Sequence, residues 1–118
     1  MIELEKTYLA KGLPQDLKRC ESKEMIDIYL PKSVAHPVLR LRKNGNRYEL
    51  TKKYPEKEGD TSRMIEETIH LTKEEFDALK NIDGKRVEKT RYFYEWNGHT
   101  AEIDVFQGEL KGMRLIDF

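Results

Sequence analysis

Three observations predict an α+β fold built mainly from antiparallel strands. Apolar residues recur mostly at every second position, which is the period of a strand. Two Asn-Gly pairs, at 44–45 and 97–98, each sit between alternating stretches, which is a strong hairpin signal. Strong helix-start chemistry occurs once, at Thr72. With 118 residues there is room for a single domain, 1–118, and none for a second core.

The elements follow in order. Ile2 and Leu4 alternate with Glu3 and Glu5, so residues 2–9 are read as a first strand. Pro14 opens a helical turn over 14–21, because proline is preorganised for the first helical position. Residues 25–30 (MIDIYL), 37–43, 46–53 and 63–71 are read as strands. Thr72 with Glu75 three residues later forms a capping box, opening a helix through about Leu79. Residues 86–96 and 99–106 are strands again, and 113–118 begins a last one.

Composition removes several classes of function. Lys+Arg 22 against Asp+Glu 22 leaves no net charge, so the basic excess of a nucleic-acid binder is absent and none is expected as a partner. No stretch approaches the ~20 apolar residues of a membrane span, and residues 1–10 carry no apolar core of a signal peptide. The expectation is a cytoplasmic protein with no membrane partner. Cys20 is alone, which excludes an internal disulfide and a multi-cysteine zinc site. His36, His70 and His99 lack a second ligand at metal spacing. Phosphate-loop, dinucleotide, zinc-protease and serine-hydrolase motifs are all missing. Any site must therefore be built from oxygen and guanidinium groups.

A two-residue loop fixes a hairpin's register, so facing residues can be read directly. With Asn44-Gly45 as the loop, Arg42 lies opposite Arg47 and Arg40 opposite Glu49, while Leu39 faces Leu50 and Leu41 faces Tyr48. With Asn97-Gly98 as the loop, Arg91 lies opposite Asp104 and Phe93 opposite Glu102, while Tyr92 faces Ile103 and Thr90 faces Val105. Each hairpin has one apolar face and one charged face. Parity adds Lys53 and Lys89 to the cations, and Glu3, Glu5, Glu66 and Asp117 to the carboxylates. Two arrangements fit this pattern. One is an open sheet whose charged face is solvated and laced with cross-strand ion pairs. The other is a closed barrel with the charged face inward and the apolar face beneath helices.

Five segments, in order, carry a resemblance. IELEKTYLA at 2–10 resembles the E-x-E-x-K opening of the CYTH superfamily, the triphosphate tunnel metalloenzymes, and DIYLP at 27–31 is similar to its second strand. LRLRKNGNRYELTKK at 39–53 resembles its R-x-R hairpin and L-T-x-K strand. GKRVEKTRY at 84–92 and AEIDVFQGELKGMRL at 101–115 resemble its K-x-R and E-x-D-x-F-x-G segments. The resemblance implies an antiparallel β-barrel with a charged interior and flanking helices. It also implies a chain that normally continues past Phe118, so that the barrel as given is incomplete or open there. An open edge of that kind would invite a homodimer.

By position, the resemblance implies that Arg40, Arg42, Lys53, Lys89 and Arg91 hold a triphosphate, and that Glu3, Glu5, Glu66, Glu102, Asp104 and Asp117 receive Mg²⁺ or Mn²⁺. Glu5 and Glu3 are its catalytic candidates. Chemically the sets are apt: guanidinium forks match phosphate oxygens, and carboxylates suit hard divalent cations. The function expected is metal-dependent hydrolysis of a small triphosphate, inorganic triphosphate first. Thiamine triphosphatase and adenylate cyclase activities belong to the same superfamily. A non-catalytic polyphosphate- or nucleotide-binding module is the alternative from another class. Thr7 and Thr68 stand where the family has a lysine and a second glutamate, as such a module would show.

Overall fold

The computed structural model describes residues 7–9 and 14–117. Their elements run in the order β1 (Thr7–Leu9), a 3-10 turn (Leu17–Arg19), β2 (Ser22–Leu30), β3 (Leu39–Asn44), β4 (Arg47–Lys57), β5 (Asp60–Leu71), α1 (Lys73–Leu79), β6 (Lys85–Trp96), β7 (His99–Gln107), a second 3-10 turn (Gly108–Leu110) and β8 (Arg114–Asp117). The α+β reading holds, and every described register is antiparallel. No helix among the described residues is long and apolar enough to cross a membrane.

The chain resolves into two compact units, 26–86 and 1–25 with 87–118. In unit 26–86 the strand order is β2-β3-β4-β5. Ile28, Leu41 and Phe76 form its buried centre, with Ile26, Leu30, Tyr48, Leu50 and Leu71 packed around them. Period two puts these strand residues on one face, and α1 lies over that face through Phe76. The helix starts where its capping box says. Glu75 N–H donates to Thr72 Oγ1 at 3.1 Å, and Thr72 N–H to Glu75 Oε1 at 2.8 Å. A close approach precedes β6: a Cβ on Gly84 would lie 2.7 Å from Ile28 Cγ2 and 2.9 Å from the Tyr29 carbonyl.

The first hairpin corrects the sequence reading. The loop is Gly45-Asn46, not Asn44-Gly45, so Asn44 pairs with Arg47, Arg42 with Glu49, Arg40 with Thr51, Leu41 with Leu50 and Leu39 with Lys52. Asn44-Gly45-Asn46 offers two overlapping loops. Gly45 takes φ +62° at the first loop position, where a type II′ turn needs glycine. The shift moves partners but not faces, because it displaces the pairing by two. Next, β4 pairs with β5 in regular register from Tyr48↔Leu71 to Pro55↔Met64. The register then shifts beside Pro55, which has no N–H for the ladder.

In unit 1–25 with 87–118 the order is β1-β8-β7-β6. Its hairpin turns at Asn97-Gly98 as predicted, with φ of +49° and +75°, the two positive values a type I′ turn requires. Trp96 pairs with His99, Tyr92 with Ile103, and Arg91 with Asp104. Ala101 and Ile103 are buried on the apolar face. A closed barrel with several flanking helices is not confirmed. Among the described residues β5 pairs with β4 alone and β1 with β8 alone, the pairing is antiparallel, and α1 is the one α-helix.

Candidate functional site

The charged strand faces are the candidate site, and each unit contributes its own set. In the unit containing β6–β8, alternation places Lys89 and Arg91 of β6 on the same face as Glu102 and Asp104 of β7 and Asp117 of β8. Asp104 is its centre. Only 1% of the residue is exposed, yet it is charged. Lys89 Nζ donates to Oδ2 at 2.8 Å, while Arg91 Nε and Nη2 donate to Oδ1 and Oδ2 at 2.8 and 3.0 Å. Burial pushes the Asp104 pKa up, but the hydrogen bonds and charges of Arg91 and Lys89 outweigh it and hold the carboxyl below its ordinary range. Arg91 is raised in turn, chiefly by its bond to Asp104, with Glu102 and Asp117 adding charge. Its Nη1 lies 3.3 Å from Glu102 Oε2, and Glu102 pairs with Asp117 across the strands. Lys89 Nζ also sits 5.4 Å from the centre of the Phe106 ring. Lys89, Arg91 and Asp104 are thus largely withdrawn from solvent, while Glu102 keeps 40% side-chain exposure.

In the unit containing β3–β5, Arg40 and Arg42 share a face with Glu49, Thr51 and Lys53 of β4 and with Glu66, Thr68 and His70 of β5. Here the charges are looser. Lys53 Nζ lies 3.9 Å from Glu66 Oε2 with both side chains half exposed. Between them and the Glu49–His70 register pair, Thr51 and Thr68 share a hydroxyl hydrogen bond of 2.9 Å. Thr51 is buried and Thr68 is exposed, so a neutral pair occupies this rung. Arg40 Nε is buried and has no hydrogen-bond partner among the described residues, a donor that a bound anion could satisfy.

Arg42 has a partner that sequence reasoning missed. Its Nε and Nη2 donate to Asp27 Oδ1 and Oδ2 at 2.7 and 3.0 Å, and this bond is the main reason its pKa is raised. The signal was present: Asp27 and Tyr29 interrupt Ile26, Ile28 and Leu30 at period two, which marks β2 as another strand with a polar face.

Glu3 and Glu5 lie outside the described residues. Thr7 pairs with Asp117 through the β1–β8 backbone. Among the described residues no three acidic, imidazole or thiol groups converge as a metal cluster. Asp104 in particular gives both oxygens to cations.

Comparison with known proteins agrees with the fold. The family model for the CYTH domain matches residues 6–113. A crystal structure described as the hypothetical protein NE1496 superposes with a TM-score of 0.75 at 30% identity, over 98% of this chain and 74% of that one. Another, described as the inorganic triphosphatase NE1496, gives 0.73 at 27% identity, over 99% and 72%. No curated protein sequence matches the chain.

Proposed function

The chain belongs to the CYTH domain family, and from that premise we propose that it hydrolyses a small triphosphate, inorganic triphosphate first, with the help of a divalent metal. The observation that carries the reading is the pairing of Lys89 with Arg91 on a buried Asp104. A carboxylate so placed fixes two cations side by side, where both can meet phosphate oxygens. The structural neighbour described as an inorganic triphosphatase supports the same substrate class.

In this reading Arg40, Arg42, Lys53, Lys89 and Arg91 bind phosphate oxygens. Arginine supplies fixed donors and lysine a mobile point charge. The metal-holding set is Glu3, Glu5, Glu66, Glu102 and Asp117, and Asp104 would join it only by releasing Lys89 or Arg91. All are oxygen donors, which fits Mg²⁺ or Mn²⁺. Glu102 and Asp117 pair directly across β7 and β8, and Glu3 and Glu5 are needed to complete a site. A bound ion would neutralise developing charge on phosphate. A carboxylate of the Glu3 and Glu5 pair positions water and takes up its proton as the water attacks the terminal phosphorus in line. The bridging P–O bond breaks, giving phosphate and pyrophosphate.

A second reading, a triphosphate-binding module without turnover, is favoured by the Thr51–Thr68 pair, which offers no negative charge there. Phosphate release from inorganic triphosphate and from ATP, with and without Mg²⁺ or Mn²⁺, separates the two. Metal-dependent release faster from triphosphate supports the hydrolase; tight binding with no release under any metal leaves only the module. Glu5→Gln should lower turnover ~10²-fold, about 2.7 kcal/mol of transition-state stabilisation, with a smaller change in affinity. Arg42→Ala should weaken binding first.

A further inference from the structure

The two arginines of the β3 R-x-R segment share a face but not an environment. Arg40 keeps a buried Nε with no hydrogen-bond partner among the described residues. Arg42 spends one whole edge of its guanidinium on Asp27, through Nε at 2.7 Å and Nη2 at 3.0 Å. The Tyr29 hydroxyl donates to the same carboxylate at 3.4 Å, which helps hold it in place. The two charged side chains are only 27% and 16% exposed, so water screens their attraction less than at an open surface. Glu49, opposite Arg42 in the ladder, adds further negative charge.

We propose that Asp27 is a positioning residue acting through Arg42: it locks the Nε edge and offsets the charge, so an incoming polyphosphate meets an oriented but weakened cation. The inference rests on the triphosphate reading above and adds a residue to it. A guanidinium has five N–H donors, of which Asp27 takes two. Those left for phosphate are on Nη1 and the outer side of Nη2, so the anion must arrive on that edge. The Asp27 charge then stays within about a guanidinium's width of the bound phosphate and opposes it. At the intermediate dielectric of a half-buried site, such a like charge lowers affinity by about five- to tenfold. What Asp27 gives in return is orientation, because a guanidinium held along one edge cannot rotate between alternative phosphate contacts.

Calorimetric titration of the metal-free protein with inorganic triphosphate tests this, with inorganic phosphate as a weak reference anion. Asp27→Asn should tighten triphosphate binding about five- to tenfold, and in turnover it should lower KM while kcat falls, because the guanidinium is no longer held along one edge. In an Arg42→Ala background the same substitution should still tighten binding, since the repulsion acts through space, but it should leave kcat where Arg42→Ala alone puts it, because no guanidinium remains to be oriented. A role in folding alone would weaken binding or leave it unchanged. Asp27→Ser provides the same loss of charge with a smaller side chain if the asparagine variant folds poorly. Wild-type binding with no tightening in either variant overturns the role of Asp27 and leaves the triphosphate reading standing. A fall in kcat that persists without Arg42 does the same. Failure of the wild type to bind triphosphate at all overturns both.

Discussion

Replacing Asp104 by asparagine keeps its shape and removes its charge, and the cost can be worked from the contacts. Three charge-assisted hydrogen bonds, from Lys89 at 2.8 Å and Arg91 at 2.8 and 3.0 Å, end on a carboxylate that is 1% exposed. Removing one member of a buried ion pair costs about 3–5 kcal/mol, because the remaining charge is left without compensation. Lys89 and Arg91 keep 19% and 20% side-chain exposure, so water recovers part of that. The expected loss is about 2–4 kcal/mol. For a domain near this size that lowers the melting temperature by roughly 8–15 °C. Urea unfolding should show a lower midpoint at an unchanged m-value. Glu66→Gln is the matched control. Its pair with Lys53 is long and half exposed, and should contribute no more than about 0.5 kcal/mol. An Asp104→Asn variant that loses no more than this control would refute the view that Asp104 anchors the two cations.

Other outcomes follow from the same structure. The folded-state pKa of Asp104 lies below its unfolded value, so its contribution is complete above about pH 4 and is lost as pH falls through the folded value. The stability gap between wild type and Asp104→Asn should therefore narrow on acidification below about pH 4, read by urea midpoints across pH. Leu41→Lys buries an ammonium among Ile28 and Phe76, and circular dichroism should show an unfolded chain at room temperature. Gly84→Ala sets a methyl 2.7 Å from Ile28 Cγ2 and should cost about 1–3 kcal/mol in chemical unfolding. Thr72→Ala removes the cap accepting from Glu75 N–H and should cost about 1 kcal/mol in the same assay.

How much the sequence disclosed varies with how local each signal is. The capping box at Thr72 and the turn at Asn97-Gly98 are decided by a few adjacent residues, and both formed as read. At Asn44-Gly45-Asn46 the local code is ambiguous, since glycine can serve as the second residue of one loop or the first of another. The chain took the second, and the partners of Arg40 and Arg42 changed accordingly. Their face survived because strand parity depends only on odd or even displacement. Asp27 escaped notice for another reason. Its partner Arg42 is on a different strand with no tight turn between them, so no register calculation joins the two. Closure is less local still, because it depends on pairing between strands far apart in the chain, and no turn residue encodes it. The placement of Glu3 and Glu5 beside the other carboxylates falls outside the described residues.

The hydroxyl pair of Thr51 and Thr68 has a consequence for how β4 and β5 respond to their medium. Along this strip the ladder reads charged, neutral, charged: Lys53 with Glu66, then the two threonines, then Glu49 with His70. Added salt screens the Lys53–Glu66 rung, which is long and half exposed. The central rung does not answer to it. Thr51 is buried, and a hydroxyl can donate or accept, so the pair has no charge to screen. Ionic strength will therefore tune the Lys53–Glu66 end of the strip while its middle holds one register throughout.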